Sequence, residues 1–176
     1  MRTPSITAAV SWLHEHDELA RLINTVSTDN LPVLVITRRM PHDTLPDRVV
    51  QWLLRRARQK IANILDLSPV NTGNEYVQLV EGTSAPTIKS IAMTFEENDP
   101  FGMLIDIDVF QYGVPLTRSG RGAPARHCLV CDKPAKYCIS ANSHPRSILF
   151  WSVWRYFFTA VIKCGRNFII SRNSLK

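Results

Sequence analysis

Residues 103–117 read MLIDIDVFQYGVPLT, and within them Ile105, Ile107 and Val109 alternate with Asp106 and Asp108. A strand over Met103–Phe110 therefore sends its aliphatic side chains to one face and both carboxylates to the other. Tyr112-Gly113 turns it into a short partner at 114–117. A sheet with one greasy face needs helices to cover it, and the upstream sequence supplies them. Ser84 caps a helix with Pro86 in its first turn and Ile88, Ile91, Ala92 and Phe95 on its buried side, ended by Asp99-Pro100. Before it, Tyr76–Val80 is a second strand. Earlier still, Thr44 and Asp47 form a weak capping box for a helix running to Leu65, with Val49, Val50, Leu53, Leu54, Ala57, Ile61, Ile64 and Leu65 inward. Val33–Thr37 is a β-branched apolar run, and residues 7–26 carry an amphipathic helical pattern.

The order α-β-α-β-α-β-β predicts an α+β fold: a two-layer domain with helices on one face of a mixed sheet. A Cys/His knuckle and a C-terminal apolar helix follow. We divide the chain into a core at 1–126, the knuckle at 127–146 and a helix and tail at 147–176, one compact domain overall. Its 176 residues are 45% hydrophobic and 20% charged, which excludes general disorder. No secretory signal is read in the first residues, so a cytoplasmic, reducing setting is expected. The apolar run 148–162 contains Arg155 and is too short for a membrane span.

The net charge of +6 is unevenly spread. Residues 38–60 hold seven basic and two acidic groups, residues 61–113 one basic and eight acidic, and residues 114–176 eleven basic and one acidic. Such segregation can draw in an anionic ligand or partner, or it can merely reflect solvated helix faces and a basic tail. Nucleic acid is disfavoured, since no stacked aromatics or recognition helix accompany the basic arms.

Two constellations could carry chemistry. Asp106 and Asp108, side by side, repel each other, and a divalent cation such as Mg²⁺ relieves that while clamping substrate phosphates. The alternative is an ordinary strand with polar residues outward. Cys128-x2-Cys131-x6-Cys138-x5-His144 offers three thiolates and an imidazole, a set suited to structural Zn²⁺. Free thiols or a redox pair are the alternatives, and Cys164 stands outside the set. Between the two constellations Arg118, Arg121 and Arg126 can take phosphate bidentately or form a solvated basic loop. His14 and His16 read as surface residues.

Taken in order, these pieces resemble one family. N-D-P-F-G-M-L-I-D-I-D at 98–108 resembles the H-P-L-G-R-L-x-D-I-D block of the holo-citrate lyase synthases, the apo-citrate lyase phosphoribosyl-dephospho-CoA transferases. T-R-S-G-R-G-A-P-A-R-H-C-L-V-C-D-K-P-A-K-Y-C at 117–138 resembles the family's S-R-x-x-L-G-x-P-x-R-x-C-L-x-C-x-x-x-A-x-x-C block, with His144 at its closing histidine. The resemblance implies a nucleotidyltransferase-type enzyme that passes a phosphoribosyl-dephospho-CoA group from triphosphoribosyl-dephospho-CoA to a serine of the acyl carrier subunit of citrate lyase, releasing diphosphate. It implies Asp106 and Asp108 as the catalytic Mg²⁺ site, Arg118, Arg121 and Arg126 as phosphate contacts, and the cysteine cluster as scaffold. The basic block from residue 114 would face the acidic carrier.

The chain departs from the family pattern at 14–17, 39–42 and 139–143, and in its aromatic tail. There Ser152, Arg155, Thr159 and Lys163 leave a narrow polar stripe. Burial against this domain or in a homodimer through that helix is expected. A zinc-stabilised, non-catalytic paralogue that binds the carrier or a CoA-like nucleotide is the alternative function.

Overall fold

The computed structural model describes residue 17 and residues 19–24, 30–69 and 76–173; His14 and His16 lie outside the described residues. Its strands are β1 (Val33–Arg38), β2 (Leu67–Pro69), β3 (Val77–Val80), β4 (Ile105–Gln111) and β5 (Val114–Pro115). Its helices are α1 (Asp47–Ala62), α2 (Ala85–Asn98), α3 (Ala135–Ser140) and α4 (Arg146–Asn173), with helical residues also at 19–24. The sheet runs β2-β3-β1-β4-β5. The α+β class is as expected. The sheet, expected to be mixed, is antiparallel in every described pairing, because each described connection returns the chain beside an oppositely running strand.

Leu34, Ile36, Ile105, Ile107 and Val109 form one face of the sheet. They pack with Leu53, Ala57 and Ile61 of α1, Ile88 and Ala92 of α2, and Val153 and Ala160 of α4. On the opposite face Ile23 and Leu19 of the N-terminal helical segment cover Val33, Val35 and Val77, so one helical segment lies apart from the rest. The register places Asp106 beside Thr37 and Asp108 beside Val35 on that second face.

Ser84 caps α2 as its sequence predicts, its hydroxyl accepting from the Thr87 amide. The capping box at Thr44 does not form. Thr44 donates its hydroxyl to the Pro41 carbonyl, Pro46 stands at the N-cap without a side-chain bond, and α1 stops at Ala62. The strand expected from Met103 begins two residues later, after a 3-10 turn at Gly102–Leu104. Beyond the helix expected to run to Leu65, Leu67–Pro69 add the short β2 on the edge of β3.

Along α4 the expected polar stripe is interrupted. Ser152 is buried beside Val153, whereas Arg155, Thr159 and Lys163 are exposed. Phe157 reaches Phe101 with ring centroids 5.8 Å apart, tying the helix to the 3-10 turn, and Cys164 packs at the margin of the core. Trp151, Phe158 and Ile162 point outward. Among the described residues no helix is long and apolar enough to cross a membrane.

Candidate functional site

β4 is where the site is built. One edge of it pairs with β1 from Ile105 to Phe110, but β5 covers the other edge only at Phe110 and Gln111. An uncovered edge leaves backbone donors and acceptors that need partners. Side chains supply most of them. Arg126 donates to the Ile105 carbonyl at 2.8 Å, and Glu96 accepts from the Ile107 amide at 2.8 Å. Lys89 donates to the Ile107 carbonyl at 2.9 Å, and the Leu116 amide closes the row on the Val109 carbonyl. Lys89 and Glu96 stand seven residues apart on α2, so two turns of helix place both on the strand edge.

Asp106 and Asp108 project from this braced strand, with side chains 42% and 48% exposed. Each has a cation of its own: Arg126 lies 3.0 Å from Asp106, and Lys89 lies 3.6 Å from Asp108. Partial burial and the like charge of Asp106 push the Asp108 carboxyl above its ordinary value, while Lys89 pulls it back. Arg126 also donates to the Gly102 carbonyl and lies 3.3 Å from Glu96.

Of the three arginines singled out in the sequence, Arg126 is therefore brought to the aspartates. Arg118 is clamped by Glu96 at 2.6 Å and Glu97 at 2.7 Å, and Arg121 reaches the Ser90 hydroxyl of α2 at 2.8 Å. The acidic and basic blocks of the chain thus meet across α2 and the loop after β5.

Arg39, Lys89 and Glu96 are site residues that the sequence reading missed. Arg39, just past β1, donates to the Met103 and His127 carbonyls. Burial, and then the neighbouring Arg126 charge, bring its guanidinium down to about 10. It links the aspartate strand to the cysteine loop. For Lys89 and Glu96 the available signal was two charges at positions of α2 flanked by Ile88, Ala92 and Phe95, the apolar side of the helix.

The knuckle folds as a small hairpin. The Cys128 amide donates to Lys133 and the Ala135 amide to Arg126, after which α3 carries Cys138. One donor atom each from Cys128, Cys131, Cys138 and His144 lies within 4.8 Å of all the others. Cys131 Sγ is 3.6 Å from Cys138 Sγ and 3.4 Å from His144 Nε2. Burial and the adjacent Cys131 and Cys128 thiols push Cys138 up to about 11. Crowded thiols of this kind resist joint ionisation unless a cation takes them, so the cluster can hold a metal ion.

Residues 14–153 match the family model described as apo-citrate lyase phosphoribosyl-dephospho-CoA transferase. A probable apo-citrate lyase phosphoribosyl-dephospho-CoA transferase of Vibrio cholerae serotype O1 is 34% identical over 129 residues, covering 65% of this chain and 71% of that protein. One of the same description from Streptococcus pyogenes serotype M18 is 35% identical over 92 residues, covering 50% of this chain and 47% of that protein.

Proposed function

The chain belongs to the apo-citrate lyase phosphoribosyl-dephospho-CoA transferase family. On that premise we propose that it transfers a phosphoribosyl-dephospho-CoA group from its triphosphate precursor to a serine of the citrate lyase acyl carrier subunit. The observation that carries the reading is the Asp106–Asp108 pair, held half-exposed on a braced strand with cations at its side.

In this reaction the serine Oγ bonds to the α-phosphorus as the bond from that phosphorus to the departing diphosphate breaks, and the serine proton passes to solvent water. Asp106 and Asp108 would hold Mg²⁺, which supplies charge neutralisation for the phosphate oxygens. Arg121, exposed and bonded through one nitrogen to Ser90, keeps donors for the diphosphate. Arg118 and Arg126 act from their carboxylate partners, orienting the strand and adding positive charge beside the departing group.

In the same reading Cys128, Cys131, Cys138 and His144 hold a structural Zn²⁺. A tetrahedral zinc site requires about 3.8 Å between sulfurs and about 3.5 Å from sulfur to nitrogen. The 3.6 Å and 3.4 Å separations support it. The acidic carrier would dock on the exposed cations Arg121, Lys133, Lys136 and Arg146. The outward Trp151, Phe158 and Ile162 of α4 would pair two copies, which light scattering of the purified protein would detect. In the same reading the protein works in the reducing cytoplasm, where thiolates stay available to a metal.

The engagement of Arg118 and Arg126 by protein groups favours a second reading, a non-catalytic carrier-binding protein. One experiment separates the two. Purified protein is incubated with apo-carrier, Mg²⁺ and the triphosphate precursor, and the carrier is weighed by mass spectrometry. Transfer adds the mass of the prosthetic group in the wild type and not in Asp108→Asn. An unmodified carrier that still co-elutes with the protein would leave the binding role.

A further inference from the structure

Lys89 is a buried ammonium whose place is not explained by strand bracing alone. Its side chain is 5% exposed, it donates to the Ile107 carbonyl at 2.9 Å, and it reaches to 3.6 Å from Asp108 Oδ1. The neighbouring hydrogen bond, from the Ile107 amide to Glu96, would brace the strand without Lys89 facing a carboxylate. Around the aspartate pair and the Glu96 beside it, Lys89, Arg126, Arg39 and Arg118 stand against Asp106, Asp108, Glu96 and Glu97. Four cations answer four carboxylates. A site so balanced offers a free divalent ion little net charge in return for giving up its water. A cation that arrives on a polyphosphate differs. The polyphosphate brings the missing negative charge and provides oxygens for the same arginines and lysine to face.

We propose that Lys89 is a resident counter-ion that occupies Asp108 until a divalent cation arrives already bound to polyphosphate, making metal entry conditional on the nucleotide. The inference rests on the metal role given above to Asp106 and Asp108, and names Lys89 as a positioning residue for it. The ammonium and the metal compete for one carboxylate. Removing the lysine charge while keeping a hydrogen-bond donor to Ile107 should therefore open the site to the free ion.

Titration calorimetry on the full chain tests this with two probes, Mn²⁺ alone and preformed Mn²⁺–tripolyphosphate. Mn²⁺ prefers oxygen ligands and leaves the cysteine cluster aside. The wild type should bind the complex at least about tenfold more tightly than the free ion, and Lys89→Gln should tighten free-ion binding by about tenfold. Lys89→Arg should stay near the wild type, and Asp108→Asn should weaken the complex, assigning the signal to the pair. Lys89→Met, which fills the buried site without a polar group, serves as a second charge-free variant should Lys89→Gln unfold. Wild-type protein that binds free Mn²⁺ as tightly as the complex would overturn the proposal. So would folded charge-free variants whose free-ion affinity is unchanged while the complex still binds through Asp108; the transferase reading would survive that result. Absence of binding by either probe, with Asp108→Asn indistinguishable from wild type, would instead remove the metal role of the pair and this inference with it.

Discussion

Asp99 joins the end of α2 to α1 through a single carboxylate. It accepts from Arg56 at 2.6 Å and Lys60 at 2.8 Å and also from the Phe101 amide, with its side chain 4% exposed. Burial opposes its ionisation, yet the hydrogen bonds from Arg56, Lys60 and Phe101 outweigh it and hold the carboxyl below its ordinary value. A folded value below the unfolded one means that the stabilisation is fully present above the unfolded pKa, near 4, and is lost as pH falls through the folded value. Asp99→Asn should lower stability at pH 7 by about 2 kcal/mol, the half-exposed Lys60 contributing little. The gap between variant and wild type in urea midpoint should close as the buffer is taken from about pH 5 to about pH 2. A gap that persists in acid would show that the carboxylate charge is not what matters. Glu96 poses the same question in a drier place, with its side chain 2% exposed between Arg118, Arg126 and the Ile107 amide. Glu96→Ala leaves the buried Ile107 amide without its acceptor and takes one carboxylate from each of Arg118 and Arg126, and should cost about 3 kcal/mol, read as a fall in thermal midpoint.

At the scale of elements, the join between α2 and β4 decides where the aspartates sit. The chain leaves α2 through a 3-10 turn whose Gly102 faces the end of the helix. A Cβ there would lie 2.4 Å from the Glu96 carbonyl oxygen and 2.6 Å from that of Phe95. Backbone cannot yield as a side-chain tip can, so Gly102→Ala should destabilise by about 1–3 kcal/mol and loosen the Arg126 bond to the Gly102 carbonyl. Gly165→Ala on the exposed side of α4 meets nothing within 4 Å and should be neutral or stabilising. Equal midpoints for the two variants would refute the close approach. The alternation at 105–109 and the Ser84 cap were legible because each is written in adjacent residues. The roles of Lys89 and Glu96 were not, because a strand's free edge exists only once its neighbours are known. A helical wheel assigns such charges to solvent by default. The capping box at Thr44 misled because the helix starts later than its spacing implies: Pro46 holds the N-cap position, and the Thr44 hydroxyl turns back to donate to the Pro41 carbonyl.

Across the whole molecule, part of the charge segregated along the chain is neutralised in space, the acids of α2 and β4 meeting Arg118 and Arg126 from the following loop. The grouping of Cys128, Cys131, Cys138 and His144 was legible from spacing, but its attachment to the aspartate strand was not, since it runs through Arg39, 88 positions before His127. Arg39 bonds the His127 carbonyl, the Ala135 amide bonds the Arg126 carbonyl, and Leu129 is buried in the main core. The knuckle is thus an outer brace for the arginine that touches Asp106. If a metal fixes the knuckle, its loss should be felt in both stability and site geometry. A strong chelator, or Cys138→Ser, should lower the thermal midpoint by several degrees and weaken Mn²⁺–tripolyphosphate binding, and added zinc should restore both in the wild type alone. The two readouts should move together, because Arg39 and Arg126 transmit the change through fixed hydrogen bonds rather than through a separate domain. Protein stripped of metal that keeps its midpoint and its binding would show that hairpin and core packing hold the arginines without help.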